Sequence, residues 1–434
     1  MMPRHSRLRL ICWLIFALWL LLQLPPFLTQ PYANGRSIDF LTYRRAADAL
    51  LQGESPYLNT SQSLAIWRTY HQRDAAIRAA GSPEQGRALM AQFSQGELLP
   101  GPYLYPPTLA ALVGALDVQP FGFACLLALA AFGIAWLWIG HTNAHPAWLL
   151  LVGLSCDVAV LIGGGNVELL LLGASLLAAW LLWRGCWLGA APLIALVALI
   201  KPFYVLLFAA FGLLMLARRD QPFGQTARTL AGAAILALAL IGAEVLRWDG
   251  ALRQAALDNL AGGLDNQWLA LPPAEQSPMS AWNRTPLQAL VGFGVPAGTA
   301  ALLALLLWAL LTGLSVWQAR RHGLSFVLAW ALALLLLYLG RPVGWTLGLL
   351  EVTLAMAVWP RLARSGRTLL LAGLIALMLS HWAALVLTGL GMGILLNTLQ
   401  TEAFPWETLL VLPGCWLLLL WAMRRPDAAL ASVV

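Results

Sequence analysis

The chain has 434 residues, of which 60% are hydrophobic and only 10% charged, whereas an ordinary soluble domain has about a quarter of its residues charged. That balance excludes a soluble globular protein, and repeated apolar runs of about 17 residues or more point to an all-α polytopic membrane protein. The formal charge of +7 does not mark a nucleic-acid partner, because the arginines gather at the ends of the apolar runs, as expected for cytoplasmic loops of a membrane protein.

The first apolar run, Ile11 to Leu24, follows Arg4, Arg7 and Arg9 in the manner of a signal peptide. No small-residue cleavage pattern comes after it, and Pro25-Pro26-Phe27 follows instead, so a retained first span is expected. With the N-terminus inside, a polar, Arg-rich loop from about Thr29 to Tyr105 faces outward. Within it, Phe40 to Leu51 reads as a short amphipathic helix stopped by Gly53, and Ile66–Ala80 and Pro83–Phe93 as two more. Such helices would lie along the membrane surface and roof a groove between spans.

A short span beginning at Pro106 returns, with Asp117 near its inner end. Further spans are expected near Phe121–Gly140, Trp148–Ile162, Val167–Trp183, Trp187–Leu216, Thr229–Leu246, Pro286–Trp317, Leu324–Leu339, Trp345–Trp359, Leu369–Leu390 and Glu407–Met423. This count of about twelve puts Arg218/Arg219, Arg320/Arg321, Arg361/Arg364/Arg367 and Arg424/Arg425 inside, leaving Arg184 and Arg341 outside. A second outer loop runs from about Arg247 to Thr285, and no internal repeat of the kind found in duplicated transporters is visible.

Asp39 is the foremost chemical candidate. One reading makes it the N-cap of the helix that follows. The other makes it a general base at the water–lipid boundary, and the two are compatible because a cap occupies one carboxylate oxygen. Lys201 is the chain's one lysine, set before Pro202 inside an apolar run. An ammonium there needs a partner or an aqueous cavity. It is either a ligand for phosphate in the groove or half of an ion pair with Glu168 or Glu244, near mid-membrane on this count.

Gly163-Gly164-Gly165-Asn166 lacks the strand–helix context of a nucleotide loop and reads as a tight turn between spans, on the inner side. Outer-side candidates for sugar and phosphate are Trp268, Trp282, Asn283 and Arg284, with Arg341 and Trp345 on the next outer turn. Arginine clamps phosphate bidentately, although Trp and Arg also form the ordinary interfacial belt. Tyr43, Arg44 and Arg45 flank Asp39, some facing the groove and others lipid head groups. His141 and His145 have i, i+4 spacing, but Pro146 and the lack of nearby acids favour a plain turn over a metal pair. The cysteines (Cys12, Cys125, Cys156, Cys186, Cys415) are odd in number and lack paired spacing, so neither a disulfide framework nor a metal site is expected.

The run Asp39-Phe40-Leu41-Thr42-Tyr43-Arg44-Arg45-Ala46-Ala47-Asp48-Ala49-Leu50-Leu51-Gln52-Gly53-Glu54-Ser55-Pro56-Tyr57 resembles the start of the first outer loop in glycosyltransferase family 87. Tyr105-Pro106-Pro107 resembles the family's opening of the next span. Gly164-Gly165-Asn166-Val167-Glu168-Leu169-Leu170 is similar to its Gly-x-Asn segment, and Gly189 with Ala198-Leu199-Ile200-Lys201-Pro202-Phe203 to its Gly…Lys-Pro segment. The likeness covers the first half of the chain well and the second half loosely.

The resemblance implies a GT-C-type fold and transfer of a sugar, mannose in the first instance, from a polyprenyl-phosphate donor to a glycolipid, glycan or protein acceptor. The carboxylate at Asp39 would be the catalytic base. Arg284, Arg341, Lys201, Tyr105 and Trp345 are the candidates for donor phosphate and sugar; Tyr43, Arg44 and Asn283 are those for the acceptor or the loop. No cofactor or metal is expected, and the implied setting is a bacterial cytoplasmic (inner) membrane, with the site facing the periplasm or exterior. The family's late outer segment often carries a His, where Gly340-Arg341-Pro342-Val343-Gly344-Trp345 has Trp and no His, so no His-assisted step is implied. A transporter or lipid-linked sugar flippase, and a non-catalytic scaffold, are the competing readings.

Overall fold

The computed structural model describes residues 4–29, 37–80, 102–142, 147–261, 285–340, 349–389 and 412–424, together with 82, 84–86, 88 and 89. All secondary structure among them is helical. Four stretches are long and apolar enough to cross a membrane: Arg7–Thr29, Pro120–Ile139, Phe223–Arg247 and Ala297–His322. The first takes in all but the first turn of α1 (Arg4–Leu22) together with α2 (Pro25–Thr29), which begins at the Pro25-Pro26 pair.

The loop expected after the first span holds α3 (Ile38–Leu51) and α4 (Thr60–Arg78). Helix α3 stops where expected, with Gln52 as C-cap and Gly53 at φ 75°, a left-handed geometry that glycine adopts without steric cost. The third loop helix, expected over Pro83–Phe93, lies largely outside the described residues.

Helix α5 (Pro107–Ala115) corrects the expected topology. Its nine residues rise only about 14 Å, short of the ~30 Å hydrocarbon core, so it is not a span. It packs instead along α3: a methyl group built on Gly114 would stand 3.4 Å from Ala47 Cβ. Its start is set by Pro106 and Pro107, whose missing N–H groups are not needed in a first turn. The Tyr103 hydroxyl substitutes for a capping side chain, accepting from Ala110 N at 3.0 Å and donating to Pro106 O at 2.7 Å.

The second correction has the opposite effect. The run Trp187–Leu216, expected as one span, is two helices, α10 (Trp187–Ile200) and α11 (Val205–Leu216), joined by a 3-10 turn over Pro202–Tyr204. Pro202 ends α10, because the residue before a proline is driven to extended backbone; Lys201 has φ −133° and ψ 93°. The chain therefore turns back at Pro202–Tyr204, where one straight helix was expected.

The remaining helices are α6 (Pro120–Thr142), α7 (Trp148–Leu154), α8 (Cys156–Gly164), α9 (Glu168–Trp183), α12 (Phe223–Arg247), α13 (Gly250–Ala261), α14 (Pro286–Gly292), α15 (Ala297–His322), α16 (Phe326–Gly340), α17 (Leu350–Val358), α18 (Arg364–Gly389) and α19 (Leu412–Arg424). Helix α16 is the axis of the bundle. Every residue from Leu328 to Leu339 is buried, as expected for a helix apolar on all sides.

Several arginines bind helix ends at one side of the bundle. At one end Arg9 donates to Ile139 O, Arg218 to Trp183 O and Arg219 to Arg320 O. There Trp148 meets Trp359, and the Arg218 guanidinium lies 3.7 Å from the Trp183 ring centroid while pairing with Asp220 at 2.6 Å. Arg184 follows Trp183 at this same end, so it groups with the other arginines rather than opposite them. At the other end α8 finishes, α9 begins and α10 breaks; the turn between α8 and α9 meets α3, and α10 packs on α5. Replacing Arg218 by Ala removes the stack and the bond to Trp183 O together. It is expected to cost about 2 kcal/mol, seen as a lower unfolding temperature in detergent, while Arg321→Ala at the exposed rim changes little.

Candidate active site

Helix α8 ends in a Schellman turn: Gly165 N donates to Ile162 O and Asn166 N to Leu161 O, with Gly165 at φ 67°. The Gly163–Asn166 segment is therefore the tight turn its composition suggests, but it lies against Asp39 instead of on the opposite side. Ser37 N donates to Gly163 O at 2.8 Å, and a methyl group on Gly165 would fall 2.8 Å from Phe40 Cβ and 3.3 Å from Ser37 Cα. The turn thus docks the first residues of α3. Glycine is required at 165 twice over, by backbone conformation and by contact.

Asp39 is not a cap. Ser37 holds the N-cap position of α3 in a left-handed conformation, and Asp39 stands in the first turn. Its Oδ2 accepts from Asn166 Nδ2 at 2.8 Å, and the side chain is half-buried. Burial pushes its carboxyl above the ordinary carboxylate range, while the Asn166 hydrogen bond and the nearby Lys201 charge pull it back.

Asn166 Oδ1 in turn accepts from Glu168 N at 2.8 Å, capping the first turn of α9. The buried Glu168 carboxylate accepts from Lys201 Nζ at 2.5 Å and from the Tyr204 hydroxyl at 2.7 Å. Of the two acids open as partners for Lys201, the ion pair goes to Glu168. Glu244 instead accepts from Thr108 and Trp248 and pairs with Arg247. The break at Pro202 sets the ammonium at a helix end beside Asp39's cluster, not at mid-span. It lies 5.4 Å from the Tyr105 ring centroid and 5.8 Å from that of Phe203.

Tyrosines form the rest of the wall. Tyr43 and Tyr105 meet edge to face with ring centroids 5.3 Å apart, and their hydroxyls stand 3.5 Å apart. The Tyr57 hydroxyl donates to Tyr105 O at 3.1 Å. Tyr43 is fully buried, which suits it to packing; Tyr57 and Tyr105 keep exposed surface.

Arg44 belongs elsewhere. It pairs with Asp117 at 2.6 Å and Asp48 at 3.3 Å, and five helical positions turn it about 140° from Asp39. It is a strut between α3 and the end of α5. Arg284, Arg341, Asn283, Trp345, Trp268 and Trp282 lie outside the described residues, as do the side chains of His141 and His145. The chain enters residue 341 from Gly340, whose Cβ position is 2.9 Å from Leu206 Cδ1 and so beside the Pro202–Tyr204 turn.

Sequence reasoning undervalued Asn166 and Glu168. The signal for both was Lys201: a buried ammonium must have a counter-charge, and Glu168 opens a helix otherwise apolar throughout. No protein-family model, curated protein or solved structure matches this chain.

Two outcomes are expected. Gly165→Ala should cost about 1–3 kcal/mol of stability and loosen the start of α3, read as faster proteolysis within residues 37–51. Lys201→Met strands a buried carboxylate and should cost about 3–5 kcal/mol by thermal unfolding, whereas adding Glu168→Leu should recover part of that loss.

Proposed function

We propose that the protein is an inverting, GT-C-type glycosyltransferase. It moves a sugar, mannose in the first instance, from a polyprenyl-phosphate donor to a hydroxyl of a glycolipid, glycan or protein acceptor at the outer face of a bacterial cytoplasmic membrane. One observation carries the reading. Four segments that resemble family 87, around Asp39, Tyr105, Asn166 and Lys201, are far apart in the chain yet contact one another in a single cluster.

Sidedness is supported by charge. Arg9, Arg184, Arg218, Arg219, Arg320 and Arg361 mark the short connections at the end away from Asp39, while the arginines on its side lie mostly in the long first loop; because the positive-inside rule counts short connections, it favours the former end as cytoplasmic. On this reading the four long apolar stretches cross the membrane, and the shorter apolar helices α9, α10, α11, α16 and α19 pass between the same two ends. The Asp39 cluster then faces outward, with α4 as part of its roof. Leu64 and Trp67 of α4 pack against the apolar side of α14 and α15, joining the first outer loop to the end of the second.

In the reaction Asp39 takes the proton of the acceptor hydroxyl as that oxygen bonds to the anomeric carbon from the face opposite the phosphate. The anomeric C–O bond to phosphate breaks and polyprenyl phosphate leaves with the electron pair. A carboxylate is a weak base toward an alcohol, but the hydroxyl proton becomes acidic as the new bond forms. The departing phosphate needs positive charge. Lys201 is neutralised by Glu168, which assigns that task to Arg341 and Arg284 in this reading. Tyr57, Tyr105 and Trp345 are the rings offered to the sugar.

The competing reading is a transporter or lipid-linked sugar flippase, favoured by the broken helix at Lys201-Pro202. Asp39→Asn separates the two. For a transferase, sugar transfer in nanodiscs falls about 10²–10⁴-fold while donor binding persists. Unchanged transfer would remove Asp39 as base, and undiminished transport of a lipid-linked sugar would favour the rival. The wild-type rate should also fall with decreasing pH through a value above the ordinary carboxylate range, because the base acts only when deprotonated and its burial raises that value.

A further inference from the structure

We propose that Asn166 is a positioning residue for Asp39: an amide locked in one orientation that ties Oδ2 and leaves Oδ1 as the oxygen presented to a substrate. The reaction in which that oxygen acts rests on the transferase reading above. The geometry of the clamp does not depend on it.

The two faces of the Asn166 amide have different partners. Asn166 Oδ1 receives the backbone N–H of Glu168 at 2.8 Å, and only an oxygen can do so. The Nδ2 group must then point the other way, where it meets Asp39 Oδ2 at 2.8 Å. A flip would set a donor against a donor and an acceptor against a carboxylate, losing both bonds. Neither anchor moves freely. Glu168 is held by Lys201 and Tyr204, and the Asn166 backbone is fixed by its bond to Leu161 O in the Schellman turn.

Among the described residues Asp39 has no other hydrogen-bond donor, so the Asn166 bond alone sets the rotation of its carboxylate. The charged and titratable groups facing it are Lys201 across the cluster, Tyr43 on its own helix and Tyr105 ahead of α5, with Glu168 behind Lys201 as its counter-charge. Asp157, on α8, lies seven positions before Gly164 and about 10 Å away along the helix axis.

A donor that can only donate favours the carboxylate over the acid. Removing it should make Asp39 hold its proton to higher pH, and Asn166→Ser makes that change selectively. A serine hydroxyl can still accept from the N–H two residues on, as in an ST turn, but is too short to reach Asp39. The capping of α9 is kept and the clamp is lost.

The test needs no sugar donor. Dicyclohexylcarbodiimide, which reacts with protonated carboxyls, is applied to the full chain in nanodiscs across a pH series. Modification at Asp39 is located by peptide mass, with Asp39→Asn as the blank. The labelling midpoint of Asn166→Ser should lie about one pH unit above that of wild type, and Asn166→Ala should match it. Where sugar transfer is measurable, kcat of Asn166→Ser should fall about tenfold with KM for the donor unchanged, and the acid limb should move with the labelling midpoint. An unmoved midpoint in a serine variant that melts like wild type overturns the proposal and leaves Asn166 as a helix cap only. A shifted midpoint in a protein that transfers no sugar from any polyprenyl-phosphate donor upholds the clamp and rejects the transferase.

Discussion

A half-buried carboxylate and a buried ammonium–carboxylate pair share one small volume where four helix ends meet, and the local structure follows from making that tolerable. Taking charges out of water costs several kcal/mol each unless partners replace the lost hydration. Here every partner comes from a helix terminus. Asn166 is supplied by the turn that ends α8 and Lys201 by the break that ends α10, while Glu168 opens α9 and Asp39 opens α3. Helix ends carry free backbone donors and acceptors, so they are where polar side chains can be anchored in an otherwise apolar bundle.

The same requirement explains the interruptions. The helix from Trp187 ends at Lys201, and the 3-10 turn over Pro202–Tyr204 follows at once. Pro202 stops the helix where the Lys201 ammonium reaches Glu168 and the Tyr204 hydroxyl donates to the same carboxylate. Likewise α5 is short because it does not have to cross. It lies along α3 through Gly114 and Ala47 and is held at its far end by the Arg44–Asp117 pair. Its first residues bring Tyr105 over the ammonium.

Much of this was legible in the sequence. Composition fixes the membrane class, the stop at Gly53 is where glycine predicts it, and Asp39 stands out as a carboxylate at the head of an amphipathic helix. What failed was counting. Hydropathy registers how apolar a stretch is but not how long one straight helix runs, so nine residues after Pro106 passed for a span and the Lys201-Pro202 break was passed over. The helix after Pro106 is too short to cross, and the Trp187–Leu216 run is two helices instead of one. Within the miscounted interval the consequences were local and large: Asn166 was assigned to the side opposite Asp39, Arg184 was set apart from the other arginines, and Lys201 was put at mid-span. The Asn166–Asp39 bond itself was not readable, because 127 positions separate the partners and no local pattern encodes a contact of that range.

The central claim is that the Asp39 end of the bundle, rather than the arginine end, receives the lipid-linked sugar. An experimental structure of the protein in nanodiscs with a polyprenyl phosphate bound tests it most directly. The account predicts phosphate density beside the Asp39–Asn166–Lys201 cluster, with residues of the 341–348 segment against it and the prenyl chain leaving between helices toward lipid. Phosphate held at the end marked by Arg218 and Arg320, with the Asp39 cluster closed and dry, would contradict it.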